Sequence, residues 1–248
     1  MVLKNKTALV TGATEGIGKA IAHALINQGI NLIAHYHKNK KAATALAKSA
    51  YKAGLNCLTV QADFLNNDSI VQMFDQLKGK VSRIDILVNN VGSGKDNKID
   101  PWNHESWLNV FQKNLFSAVE CTKQTLKIME QGKILNISST YGFLGYGPKG
   151  LVSYAAAKAA LSSYTLNLAK QLAPEILVNA IAPGYVLTPS WGNMNEEEIK
   201  LQGKYKLINR MIEPEEVARL AINILENDAI CGSIFKIDGG MDLKALNF

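Results

Sequence analysis

Cysteine and histidine are both scarce. The three cysteines, Cys57, Cys121 and Cys231, are odd in number, far apart and without the paired spacing of a zinc or redox site, so they are read as reduced and structural. The four histidines, His23, His35, His37 and His104, cluster neither with cysteine nor with one another, and no metal is expected. Long hydrophobic runs are missing too: nothing approaches the roughly eighteen consecutive apolar residues of a membrane helix. Met1-Val2-Leu3-Lys4-Asn5-Lys6 leads directly into the apolar Thr7-Ala8-Leu9-Val10, which leaves no room for a charged-then-hydrophobic export segment. The expectation is a cytoplasmic protein with no membrane partner.

The lack of a Pro/Ser/Gly-rich linker, an internal repeat or a low-complexity tract points to one domain over residues 1–248, long enough to bury a full core. A basic cluster is also lacking. The net charge of +6 and the pI of about 9.1 come from scattered lysines, so nucleic acid is not an expected partner, although a modest positive field suits an anionic ligand.

What is present is a regular alternation of short apolar runs with longer amphipathic segments, the rhythm of βαβ units. Strands are expected near Thr7 to Val10, Asn31 to His35, Leu58 to Gln61, Ile84 to Val88, Lys133 to Ile137, Leu177 to Ala182 and Ser233 to Ile237. Helices are expected at Gly16 to Gln28, Lys40 to Ala53, Asp68 to Leu77, His104 to Met129, Tyr154 to Leu172 and Pro214 to Glu226. The fold class is therefore α/β, a doubly wound parallel sheet of about seven strands with helices on both faces. A long irregular stretch near 185–213, with the acidic patch Glu196-Glu197-Glu198, reads as a substrate loop.

Thr11-Gly12-Ala13-Thr14-Glu15-Gly16-Ile17-Gly18 follows the first strand and opens the first helix. Gly12 permits a tight turn, while Gly16 and Gly18 let backbone approach a pyrophosphate at the helix N-terminus. An ordinary strand-to-helix turn would look similar when read alone. Asp63, past the third strand and able to accept from an adenine amino group, and Asn89-Asn90-Val91-Gly92, ending the fourth strand, lie where a doubly wound sheet holds a dinucleotide.

Tyr154 and Lys158, four apart at the start of a helix, project from one face. An adjacent ammonium and a positively charged nicotinamide are expected to lower the phenol's pKa and suit it to proton transfer. Ser139 closes the fifth strand and could bond a substrate oxygen, and Asn114 could hold a relaying water. A snorkelling lysine beside a half-buried tyrosine is the plainer reading of the pair alone.

The ordered set Thr-Gly-x3-Gly-Ile-Gly, Asn-Asn-x-Gly, Asn, Ser and Tyr-x3-Lys resembles the short-chain dehydrogenase/reductase family, whose fold is Rossmann-type, over nearly the whole chain. Pro183-Gly184-Tyr185-Val186-Leu187-Thr188 is similar to that family's nicotinamide loop, and Asp238-Gly239-Gly240 matches near the end. Ser153-Tyr154-Ala155-Ala156-Ala157-Lys158 and Pro214-Glu215-Glu216-Val217-Ala218 look most like its 3-oxoacyl-[acyl-carrier-protein] reductases. The resemblance implies catalysis by Asn114, Ser139, Tyr154 and Lys158, with Ser139 preferred over Ser138 because Gly142 stands three residues on. It implies cofactor contacts at Gly12, Thr14, Gly16, Ile17, Gly18, His37, Lys38, Asp63, Phe64, Asn90, Gly92, Tyr154, Lys158, Pro183, Gly184, Val186 and Thr188. It also implies a small-molecule carbonyl or alcohol substrate, no metal, and a homotetramer built partly through the long fourth and fifth helices.

NADP(H) is expected over NAD(H), with NAD(H) left open. Ala34-His35-Tyr36-His37-Lys38 lacks the carboxylate that grips an unphosphorylated ribose, and His37 and Lys38 could meet a 2′-phosphate, which Glu15 would oppose. The stretch from Ser139 to Tyr154, with Gly145-Tyr146-Gly147-Pro148-Lys149-Gly150, is about two residues longer than in the similar reductases. Glu130 and Glu175 stand where those reductases carry basic residues for acyl carrier protein, with Lys127, Lys133 and Lys170 nearby to compensate, so weak action on carrier-bound chains is expected. A sugar, polyol or steroid-like substrate, and a non-catalytic dinucleotide sensor, remain alternatives.

Overall fold

Alternating residues of the short strands face opposite helical layers. In a computed structural model, which describes residues 1–94, 103–143 and 150–244, the strands are β1 (Thr7–Val10), β2 (Asn31–Tyr36), β3 (Cys57–Gln61), β4 (Ile86–Asn89), β5 (Gly132–Ile137), β6 (Ile176–Pro183) and β7 (Ile234–Ile237). All pair in parallel, in the order β3-β2-β1-β4-β5-β6-β7. Both faces of a parallel sheet are covered, so the central strands read as continuous apolar runs. Val10 and Val88 pack with Leu25 of α1 (Gly16–Asn27), Leu46 of α2 (Lys40–Lys52) and Val217 of the helix Pro214–Glu226. Leu9 and Leu87 face the other way, onto Phe74 of α3 (Asn67–Asp75) and onto Cys121 and Ala169 of the helices Ser117–Thr125 and Val152–Leu172.

Three of the early helices begin at asparagine caps, whose side-chain oxygens take orphan N–H groups of the first turn. Asn39 accepts from Ala42 at 3.0 Å, Asn66 from Asp68 at 2.9 Å, and Asn103 from Ser106 at 2.9 Å. The helix read as one piece from His104 to Met129 is instead α4 (His104–Phe111), a π-helical turn at Gln112–Phe116, and α5 (Ser117–Thr125). Helix α6 (Val152–Leu172) starts one residue before Ser153. The stretch 185–213 is not irregular throughout: Glu196–Gly203 forms α7, and the acidic patch is its first turn. Asn195 accepts from the Glu198 N–H at 2.9 Å and donates its own N–H to the Glu198 carboxylate at 2.8 Å, a capping box, and carboxylates there complement the helix dipole. Helix α8 (Pro214–Glu226) and a short α9 (Met241–Lys244) complete the described chain. Residues 144–149 of the longer connection lie outside the described residues. Among the described residues no helix is long and apolar enough to cross a membrane.

His35, in β2, ties three strands together at their carboxyl ends. Its Nδ1 accepts from the Gly12 N–H at 3.0 Å, which leaves Nε2 protonated to donate to the Ala62 carbonyl at 3.2 Å, and its ring stacks on Phe64 with centroids 4.1 Å apart. Burial holds this imidazole neutral and lowers its pKa to about 4. Between pH 6.5 and 4 the unfolded chain therefore binds a proton that the folded chain does not, so His35 costs nothing above pH 6.5 and removes stability as pH falls. With 1.36 kcal/mol per pKa unit the loss reaches about 3 kcal/mol by pH 4. In urea unfolding at pH 7 and pH 4.5, the acid-induced drop in stability should be smaller in His35→Leu than in the parent; equal drops would show that His35 does not carry it.

Candidate active site

The strand order reverses at β1 and β4, so connections leaving their carboxyl ends diverge and open a crevice between them. Its floor is stitched by Thr11 and Asn90. The Thr11 hydroxyl donates to Val88 O at 3.2 Å and accepts from the N–H groups of Asn90 (2.9 Å) and Val91 (3.2 Å). The Asn90 amide donates to the carbonyls of Thr11 and Gly12 at 3.0 and 3.3 Å.

Above that floor the glycine-rich loop enters α1. Gly16 has φ +49°, and a Cβ there would lie 3.0 Å from Thr188 Cγ2, while a Cβ on Gly18 would land on the Gly12 carbonyl oxygen. Unlike its neighbours, α1 has no side-chain cap: Glu15 occupies the N-cap position, and its carboxylate accepts from Asn39 Nδ2 at 3.2 Å. Thr14, Gly16, Ile17 and Gly18 thus surround an N-terminus whose orphan N–H groups fit an anion such as a dinucleotide pyrophosphate.

At the ends of β2 and β3, a cleft of about 450 Å³ is lined by Tyr36, His37, Gln61, Asp63 and Ser69 among others. Exposed His37 and Asp63 face each other at 3.8 Å, and Lys38 is exposed beside them. Phe64 is buried beneath His35. After β6, Gly184 donates to Ile237 O at 2.9 Å, Val186 bridges to Ile212, and Thr188 reaches Gly16, so the Pro183–Thr188 loop runs over the crevice.

Asn114 stands in the π turn, where its amide is fixed: Oδ1 accepts from Ser93 N–H at 3.1 Å, and Nδ2 donates to Ser93 O and Val110 O at 3.1 and 2.9 Å. Lys158 is buried and donates from Nζ to Ile137 O at 2.8 Å. A Cβ on Gly92 would lie 2.7 Å from Asn114 Oδ1 and 2.8 Å from Lys158 Nζ, so the two groups flank one point. Ser138 and Ser139 part ways. Ser138 turns into α6, donating to Lys158 O at 2.9 Å and sharing a bond with Ser162, whereas the Ser139 hydroxyl accepts from Tyr141 N–H at 3.2 Å and acts on the Tyr154 phenol, lowering its pKa.

The protein's own groups, apart from the nicotinamide charge on which the expected lowering also rests, leave the Tyr154 pKa raised. Burial pushes the phenol up to about 12, and the Ser139 hydrogen bond opposes only part of that. The Lys158 ammonium sits 5.7 Å from the ring centroid, and its own pKa falls to about 7 on burial, so it offers the phenol little charge. Lys133 is corrected as well: it is buried and paired with Asp228 at 2.7 Å, so it cannot offset surface acids. Glu130 and Glu175 are exposed at the amino ends of β5 and β6, the edge of the sheet opposite Tyr154. Two groups at the crevice escaped the sequence reading. His35 stands in the sequence only as one of four unclustered histidines and in the Ala34–Lys38 segment, and Thr11 only as the opening letter of a motif.

A family model described as short chain dehydrogenase matches residues 6–199. The chain is 38% identical over 247 residues to a 3-oxoacyl-[acyl-carrier-protein] reductase of Synechocystis sp., covering 96% of this chain and 98% of that protein. It is 37% identical over 246 residues to the like-named protein of Aquifex aeolicus, with 96% and 98% covered. A short chain dehydrogenase from Burkholderia cenocepacia, solved in complex with NADP, superposes with a TM-score of 0.89 at 27% identity, covering 98% of this chain and all of that one.

Because the atoms that a Gly92 side chain would meet are the ends of side chains, Gly92→Ala should displace Lys158 and Asn114 rather than the backbone. The melting temperature should stay within a few degrees of the parent while the Lys158 amine, followed by NMR after reductive methylation, titrates at a changed pH. An unchanged titration would show that Gly92 does not border these groups.

Proposed function

The chain belongs to the short-chain dehydrogenase/reductase family as an oxidoreductase interconverting a ketone and a secondary alcohol with a nicotinamide dinucleotide, and from that premise we propose that Tyr154 is its general acid and base. The observation that carries this assignment is the Tyr154 phenol set beside Ser139, which lowers its pKa, and beside the buried Lys158, whose Nζ lies 5.7 Å from its ring centroid. With its pKa raised to about 12, the Tyr154 phenol is protonated at neutral pH and ready to donate to a carbonyl oxygen as that oxygen gains negative charge. Ser139, which acts on the same phenol, would donate to the same oxygen, and such oriented donors act most strongly where water is excluded. Lys158, with one N–H bond on Ile137 O, has donors left for ribose hydroxyls and for the phenolate that forms. Asn114, locked by Ser93 and Val110, is assigned to hold the water that returns a proton through Lys158.

NADP(H), when bound, supplies or accepts the hydride. The uncapped N-terminus of α1, with Gly12, Thr14, Gly16, Ile17 and Gly18, would hold its pyrophosphate; Asp63 and Phe64 would border the adenine, Asn90 and Gly92 the ribose, and Pro183, Gly184, Val186 and Thr188 the nicotinamide. A preference for NADP(H) rests on His37 and Lys38 at a β2 end without a carboxylate, on the Asn39 bond that engages Glu15, and on the NADP bound by the Burkholderia cenocepacia relative. The remaining readings are a cytoplasmic location, a single domain with 185–213 as substrate loop, and a homotetramer through α4 to α6. Large apolar side chains exposed on those helices, Leu108, Phe116 and Leu166, support the last.

Tyr154→Phe should abolish turnover and leave cofactor affinity within a few-fold, because the phenol acts on the transition state while the pyrophosphate site lies elsewhere. Substantial residual turnover would remove Tyr154 from the chemistry. For the cofactor, kcat/KM with NADPH should exceed that with NADH by roughly tenfold, and Lys38→Ala should narrow the gap. A ratio favouring NADH would overturn the preference.

A further inference from the structure

Two loops that meet beside Tyr154 bring three aromatic rings into one file. Tyr141, in the 3-10 turn Thr140–Gly142 after β5, lies edge-on to Tyr154 with centroids 6.3 Å apart and planes at 83°. Tyr185, after β6, meets Tyr141 at 5.9 Å and 80°, and Trp191, in the turn Pro189–Trp191, meets Tyr185 at 5.0 Å and 66°. These are the edge-to-face arrangements that ring quadrupoles favour.

The file is braced from behind. Trp191 Nε1 donates to Val186 O at 2.8 Å, which fixes the last ring of the file. Lys206, fully buried, sets its ammonium 4.6 Å above the Tyr185 ring while donating to Gln202 O at 3.2 Å, and its own carbonyl accepts from Lys244 Nζ at 2.9 Å. Burial lowers the Lys206 pKa to about 8, with Asp238 opposing, so the cation over the ring persists at neutral pH. Tyr141 and Tyr185 are only half-buried and Trp191 remains 37% exposed, so flat aromatic surface is left open to a ligand that reaches Tyr154.

Taking the ketone-reducing role of Tyr154 as given, we propose that Tyr141, Tyr185 and Trp191 form a rigid aromatic wall that selects a ketone carried on or beside a flat ring over a straight-chain 3-oxoacyl group. A planar ring presents a whole face to the wall and has few rotors to order, whereas an extended acyl chain must fix several torsions to gain comparable contact. Among the described residues, the cation set over the file, Lys206, is buried behind Tyr185. The wall therefore recognises by stacking rather than by ion pairing.

The test compares kcat/KM for 2-tetralone with that for a straight-chain 3-oxoacyl N-acetylcysteamine thioester, using NADPH, in the parent, Tyr185→Leu and Trp191→Leu. The parent should favour the ring ketone. Each variant should lose roughly three- to tenfold on the ring ketone, the range expected of one aromatic contact, while staying within about twofold on the chain and keeping its melting temperature and NADPH affinity. Preference of the parent for the chain, or equal losses on both substrates, would overturn the wall. Binding of 2-tetralone to Tyr154→Phe, read by quenching of tryptophan emission and weakened by adding Tyr185→Leu, separates the two readings. Turnover of neither ketone would overturn the oxidoreductase assignment for this site, and quenching that Tyr185→Leu does not weaken would overturn the wall alone.

Discussion

The reversal of strand order between β1 and β4 is the constraint from which the rest of the site follows. Chain leaving β1 goes on to β2 and β3 and chain leaving β4 goes on to β5, β6 and β7, so the two connections diverge from the gap above those carboxyl ends. Such a gap would leave backbone N–H and C=O groups of both strand ends without partners, a cost of the order of 1–3 kcal/mol for each buried group. Thr11 and Asn90 supply those partners with two side chains, so the crevice can stay open without loosening its floor. The glycine-rich loop then lies over one wall and Gly92 opens the other, which is why groups so far apart in sequence face a common space.

Lys158 sits where this arrangement is least comfortable. Removing an ammonium from water costs several kcal/mol, and one carbonyl at 2.8 Å offsets only part of it, which is the physical meaning of a lysine whose pKa falls to about 7. The surrounding scaffold tolerates it because α6 is pinned elsewhere: Ser138 donates to Lys158 O, and Asn136 reaches from β5 to Thr165 at 2.9 Å. Burial moves the two neighbouring groups in opposite directions, raising the phenol and lowering the amine, and both shifts favour the neutral forms. A site in that state is set to give a proton from Tyr154.

The loops after β5 and β6 convert this pair into a shaped cleft. Tyr141 follows Ser139 by two residues, so the turn that presents the serine also presents the first ring of the aromatic file. Tyr185 and Trp191 arrive on the loop whose Thr188 contacts Gly16, so one connection touches both the phosphate-binding end and the chemical end.

Local chemistry was legible from the sequence. Short apolar runs alternating with amphipathic segments located all seven strands and most helices, the glycine loop and Asn-Asn-x-Gly named their strand ends, and four-residue spacing put Tyr154 and Lys158 on one helical face. The Asn195–Glu198 capping box could have revealed α7, because that signal too is local, but it was passed over as loop. What remained hidden depends on partners tens of residues away. A lone histidine in a strand carries no mark that its Nδ1 will meet Gly12, and neither Ser138 nor Ser139 records which way it will turn until α6 packs against β5. The π turn that aims Asn114, the sealing of Lys133 against Asp228, and the burial that raises the Tyr154 pKa all follow from sheet order. Periodicity is set by a residue's own neighbours along the chain, whereas direction, burial and charge balance are set by whatever the crossed strands bring beside it, and only the folded chain decides that.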